Sequence, residues 1–228
     1  MNLAPGPAQS GTGSKDLTQT AAQWVPDHAD IEELRRAARN CEGCELYKPA
    51  TQVVFSAGNP RAAIALVGEQ PGDVEDREGI PFVGPAGRLL QDALSEAGIA
   101  REDVYVTNAV KHFRFTERGK RRIHATPQVS HIRACLPWLE AELTLVDPEL
   151  IVCLGATAAR ALLGTSFRVT QQRGQVLELA TPVGIRPVLA TVHPSAVLRA
   201  TGEDRSAALA GLVADLRVAG QAVKSQER

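Results

Sequence analysis

The sequence carries almost no net charge, few cysteines, few aromatic residues and no long apolar run. Its 25 Lys and Arg against 26 Asp and Glu leave a formal charge of −1. A globally basic protein that coats nucleic acid is thereby excluded, and any such binding must come from a local patch. No stretch of 18 apolar residues occurs, and no basic start leads into an apolar run. Membrane-spanning, secreted and membrane-anchored forms are therefore not expected, and a cytoplasmic monomer is. Four cysteines without an export signal make a poor disulfide framework, because the cytosol keeps thiols reduced. Thiolate coordination of a metal or cluster is the better default. What remains is an ordinary globular chain of 228 residues, 44% hydrophobic and 22% charged, able to bury a substantial core.

Residues 1–25 are rich in Gly, Ala, Pro, Ser, Thr and Gln, lack apolar periodicity and read as a flexible tail ahead of one domain over 26–228. Gly6 and Gly11 stand at phosphate-loop spacing, but no lysine follows them. A helix is predicted over 30–40, with Ile31, Leu34 and Ala38 on one face, running into Cys41-Glu42-Gly43-Cys44. Short apolar runs at 62–67, 104–110, 150–154 and 187–192 read as strands. Helical patterns at 85–98, 126–146, 156–163 and 205–218 alternate with them. The expected fold is α/β: a single three-layer α/β/α domain around a central, mostly parallel four-stranded sheet. In such sheets ligands sit beyond the carboxyl ends of the strands. Glu69, Gln70, Asp73, Asn108 and His193 all fall there.

Cys41 and Cys44 form a CxxC, Cys135 lies in the long helical pattern and Cys153 ends the third strand. Spacing alone leaves several readings: a redox pair without thioredoxin-like surroundings, plain core residues, or one tetrahedral thiolate site for zinc or a four-iron cluster. The wide gap between Cys44 and Cys135 argues against a compact zinc finger. Residues 68–90, GEQPGDVEDREGIPFVGPAGRLL, form a Gly- and Pro-rich loop leading into a helix N-terminus, which presents N–H groups to an anion. Phe82 is one of nine aromatics in the chain. It is either a loop anchor or a stacking platform for a planar ligand. The run KHFRFTERGKRRIH over 111–124 carries six Lys and Arg against one Glu. It is either a solvated face or a phosphate-binding patch beside the cleft.

The long 68–90 motif, Asn108 after the second strand and His193-Pro194-Ser195 after the fourth resemble the uracil-DNA glycosylase superfamily. The cysteines resemble its iron–sulfur branch, family 4, and Lys120-Arg121-Arg122-Ile123-His124 resembles the hallmark loop of family X. That resemblance spans about residues 31–218. It implies uracil-containing DNA as partner, with the target base flipped out or in a single strand. It also implies a 4Fe-4S cluster on Cys41, Cys44, Cys135 and Cys153, most simply as a structural brace. Phe82 would stack on uracil and Asn108 would read its Watson–Crick edge. His193 would donate to uracil O2 as negative charge develops there, helped by the backbone of Glu69 and Gln70. His124 would bond to the sugar C1′, with Glu69 orienting it or taking its proton. Gln70, an amide where hydrolytic relatives carry a water-activating acid, makes attack by water weak. Asp73 and Arg122 complete the expected substrate-binding set, with Arg122 bracing either the loop or a phosphate.

Two rival functions are a family 4 enzyme that turns over and releases an abasic site, and a non-catalytic, zinc-containing nucleic-acid-binding domain. A hydrolase built on Ser195 and His193 is weaker, since no acid partner or nucleophile elbow accompanies them.

Overall fold

In the computed structural model, which describes residues 20–226, the four apolar runs become the parallel centre of one sheet. In chain order the elements are α1 (Ile31–Ala38), β1 (Ser56–Gly58), β2 (Ile64–Gly68), α2 (Asp73–Glu78), α3 (Pro85–Ala97) and β3 (Val104–Asn108). There follow β4 (Phe115–Arg118), β5 (Arg121–His124), α4 (Val129–Val146), β6 (Leu150–Leu154), α5 (Ala156–Leu163) and α6 (Val169–Gln172). The chain ends with β7 (Val176–Thr181), β8 (Gly184–Thr191), α7 (Pro194–Arg199) and α8 (Gly202–Gln226).

The sheet has six strands rather than the expected four, in the order β1-β3-β2-β6-β8-β7. β3, β2, β6 and β8 are parallel; β1 and β7 flank them antiparallel. The edge strands escape a search for continuous apolar runs for separate reasons. β1 is only Ser-Ala-Gly, and β7 alternates exposed and half-buried residues because one face meets solvent. The 111–124 segment also holds a two-stranded hairpin, β4 paired with β5, with Gly119 left-handed at its tip.

Opposite faces of the central strands feed separate cores. Leu66, Val106, Val152 and Leu189 pack on α3 and α8, whereas Ala65, Val67, Ile151, Cys153 and Ala190 pack towards α4 and α5. α8 is long and apolar enough to cross a membrane by length and composition. Its residues Leu212, Val213, Leu216 and Ala219 are buried in the first core. A third cluster joins α1 to α4 through Leu34, Ala38, Cys41, Cys135 and Trp138. α1 starts on a capping box: the Asp30 carboxylate accepts the Glu33 N–H (2.8 Å), and the Glu33 carboxylate accepts the Asp30 N–H (2.9 Å). Of the predicted tail, Ala21–Trp24 form a 3₁₀ turn whose Ala21 is buried in this cluster. Residues 1–19 lie outside the described residues.

Beneath the carboxyl ends of the strands lies a buried polar network. The Lys111 ammonium donates to the Glu142 carboxylate, to Thr107 Oγ1 (2.6 Å) and to the Asn108 carbonyl (3.0 Å). Tyr105 donates to the same carboxylate at 2.8 Å. Full burial is tolerable for this ion pair because both partners' hydrogen-bonding capacity is used. The first lysine of the basic run therefore holds the end of β3 and does not face solvent.

Candidate functional site

The 68–90 loop is held by a side chain that patterning does not single out. The buried Glu75 carboxylate accepts the N–H of Gly72 (3.1 Å) and of Gly84 (2.9 Å), closing the loop on itself. Inside that closure Phe82 adopts a left-handed backbone, φ 57°. Such a conformation costs a non-glycine residue about 1–3 kcal/mol and is found where surrounding structure over-determines it. A Cβ at Gly87 would lie 1.7 Å from the Phe82 carbonyl, so only glycine admits this turn.

Gly68 and Asn108 are paired in register at the ends of β2 and β3. Beyond them Ala109 N–H donates to the Gly68 carbonyl (2.9 Å) and Val110 N–H to the Glu69 carbonyl (3.0 Å). A Cβ on Gly68 would stand 2.3 Å from Asn108 Oδ1 and 2.6 Å from Phe82 Cζ. Glycine thus keeps open a space walled by the amide and the ring. Asn108 is 2% exposed, yet its Oδ1 has no hydrogen-bond partner. A buried, unpaired acceptor is costly unless a ligand supplies the donor.

The His193 ring stands 6.2 Å from that of Phe82. Its Nδ1 accepts the Ser195 N–H (3.1 Å) and lies 2.8 Å from Ser195 Oγ, leaving the proton on Nε2. Burial, aided by His124 and Arg199, pushes its pKa down to about 4, so at neutral pH it is an uncharged Nε2–H donor. No carboxylate orients it among the described residues, which removes the basis of a Ser195 hydrolase. The unfolded histidine takes up a proton below about pH 6.5, whereas the folded one stays neutral until about 4. This group therefore leaves stability untouched above that window and erodes it as pH falls from 6.5 towards 4, by up to about 3 kcal/mol. Chemical denaturation of wild type and His193→Asn across the window should show the variant losing less.

His124 ends β5 opposite Phe115, with its side chain half exposed. Its Nε2 lies 2.9 Å from the Gln70 amide nitrogen and 3.4 Å from Glu69 Oε1. Partial burial and Arg199 lower its pKa against the pull of Glu69, favouring the neutral ring. Gln70 does more than replace an acid. Its Oε1 accepts the Arg114 N–H (3.0 Å) and its amide donates to the carbonyls of Arg114 (3.1 Å) and Ala125 (3.2 Å), pinning the base of the hairpin.

Asp73 and Arg122 are spent on each other. Arg122 Nε donates to Asp73 (2.5 Å) and its Nη1 to buried Asp76 (2.6 Å), while the guanidinium lies over Phe113 and Phe115. Arg122 is thus the brace that ties the hairpin to α2. The tip keeps Arg118, Lys120 and Arg121 exposed, so half of the basic run faces outward.

Three of the four cysteines, Cys41, Cys44 and Cys135, belong to the third core cluster. Burial pushes the Cys44 thiol up to about 11 and that of Cys135 up to about 12. Trp138 Nε1–H donates to Cys41 Sγ (3.3 Å) and the Lys111 N–H to Cys135 Sγ (3.2 Å). Such N–H donors suit thiolate ligands. Cys153 does not join them: it lies in the sheet-facing core, and burial alone raises its thiol to about 12. A strand-end cysteine points to whichever face its alternation dictates, and here that face is packed by Val67 and Ala190. Among the described residues no group of three or more His, Cys, Asp or Glu side chains stands ready to hold a metal ion.

Glu75, Asp76, Thr157, Ser195 and Arg199 also shape the site. Glu75 and Asp76 lie inside the 68–90 motif and Ser195 inside His193-Pro194-Ser195, whereas Thr157 and Arg199 carry no sequence signal beyond their places on helices at the sheet's carboxyl edge.

The family model described as the Uracil DNA glycosylase superfamily matches residues 55–217. A Type-4 uracil-DNA glycosylase of Pyrobaculum aerophilum is 36% identical over 174 residues, covering 75% of this chain and 85% of that protein. Those of Thermotoga maritima and Archaeoglobus fulgidus are 38% and 37% identical, each over 74% of this chain and 83% of their own length.

Proposed function

The chain belongs to the uracil-DNA glycosylase superfamily, and we propose that it excises uracil from DNA and then remains bonded to the abasic sugar through His124. The observation that carries this reading is the His124 ring, its Nε2 2.9 Å from the Gln70 amide and 3.4 Å from the Glu69 carboxylate, at the site of the unpaired Asn108 oxygen.

The chemistry runs on this chain's own groups. Asn108 Oδ1 accepts uracil N3–H, its amide donates to O4, and Phe82 stacks on the ring. As the C1′–N1 bond breaks, its electron pair leaves with uracil, and negative charge at O2 meets the Nε2–H of His193. Positive charge builds on the sugar beside Glu69. The lone pair of the neutral His124 ring then forms an N–C1′ bond, and the resulting imidazolium gives up its remaining N–H proton to solvent, from which uracil is protonated. Gln70 is an amide and supplies no base for water. The exposed cations Arg118, Lys120 and Arg121 suit phosphate contacts.

A turnover enzyme that frees the abasic site is the second reading, favoured by the Type-4 names of the relatives. A denaturing gel after incubation with a uracil-containing oligonucleotide separates the two. The covalent reading expects a heat- and detergent-stable band with one protein per uracil. Many uracils released per protein, with no such band, would replace it by the second.

Cys41, Cys44 and Cys135 would hold an iron–sulfur cluster, and the N–H donors on Cys41 and Cys135 support it; Cys153 packs in a different core and stands outside this set. Glycosidic cleavage transfers no electrons, so the group's contribution would be to tie the segment after α1 to α4. Purified protein should be brown and contain iron. Cys135→Ala should lose the iron and Cys153→Ala keep it. Zinc without iron, or equal iron loss in both variants, would contradict the assignment.

A further inference from the structure

The geometry points to Thr157 as a positioning residue for Glu69, and this inference rests on the reading above, in which Glu69 faces the reacting centre. Thr157 is the second residue of α5, and its Oγ1 donates to Glu69 Oε2. The other carboxylate oxygen, Oε1, is the one 3.4 Å from His124 Nε2. One oxygen is thus tied back to α5 while its twin faces the imidazole. The helix start that carries Thr157 is itself fixed. Gly155 N–H donates to the Thr191 carbonyl (2.9 Å), and a Cβ on Gly155 would stand 2.9 Å from His193 Cβ. The first turn of α5 therefore abuts both histidine-bearing sides of the site.

Two effects act together. The hydroxyl selects one rotamer of a side chain that otherwise has several, and the free N–H groups at a helix start favour a carboxylate nearby. Glu69 is thereby held as a fixed negative charge where the sugar becomes positive, rather than reorganising as the charge appears. Loss of the hydroxyl leaves the carboxylate present but unaimed.

The test is a four-protein cycle of wild type, Thr157→Val, Glu69→Gln and the double variant, with Thr157→Ser as the conservative rescue. Single-turnover adduct formation on a uracil-containing oligonucleotide is followed at saturating protein. Thr157→Val should slow the maximal rate about tenfold, the usual effect of losing a hydrogen bond to a charged group. The protein concentration giving half-maximal rate should stay unchanged, and Thr157→Ser should stay near the wild-type rate. In the Glu69→Gln background the valine should cost nothing further, because there is no charge left to aim. A valine variant at the wild-type rate, or one that slows Glu69→Gln by the same factor, would overturn the assignment. If wild type releases abasic DNA without an adduct, the covalent reading fails by itself, and the same cycle scored on uracil release decides Thr157.

Discussion

His124→Ser should turn a protein that keeps its DNA into one that lets it go. With the imidazole absent, the stable band on a denaturing gel disappears. The uracil pocket survives, because Asn108, Phe82 and His193 are held by β3, the Glu75-closed loop and Ser195, none of which depends on His124. Nor does the hairpin collapse, since Arg122 still reaches Asp73 and Asp76, and Gln70 still bonds to Arg114 and Ala125. Water then enters the space left by the ring, and the products are free uracil and an alkali-labile abasic site. Release should nevertheless be slow per protein, because Gln70 offers no base. A His124→Ser protein that still forms the stable band would mean that another nucleophile captures the sugar.

Asn108→Ala should be the more damaging change to excision itself. It removes both hydrogen bonds to the uracil edge, about 3 kcal/mol between them, so the single-turnover rate should fall by about a hundredfold or more. DNA binding should persist, weak and salt-sensitive, because it resides in phosphate contacts. Uracil release and filter binding measured on the same protein check both halves. Full excision by the variant would move the base pocket elsewhere. Cytosine, which reverses the donor and acceptor at its edge, should be rejected by the wild-type amide for the same reason.

Those two residues were legible in the sequence, and so was the centre of the fold. β2, β3, β6 and the second half of β8 read as apolar runs because both their faces are covered. β1 and β7 were not legible, being edge strands with a short or alternating pattern. The basic run concealed three different environments. Lys111 is buried against Glu142, Arg122 is locked on two aspartates, and only the tip is free, a division set by tertiary partners far away in sequence. Cys153 looked like a ligand by residue type, but the pleat of β6 turns it into the core. Thr157 was invisible for the converse reason: a threonine in the first turn of a helix is ordinary until Glu69, 88 positions away, is seen to meet it.

The product that separates the two readings is a bond between His124 and the sugar from which uracil has gone. Intact-mass analysis of the protein after reaction with a uracil-containing oligonucleotide, followed by peptide mapping, measures it directly. The expected species has the mass of protein plus oligonucleotide minus one uracil, and the modified peptide contains His124. Unmodified protein beside an oligonucleotide that has exchanged uracil for a hydroxyl would contradict it.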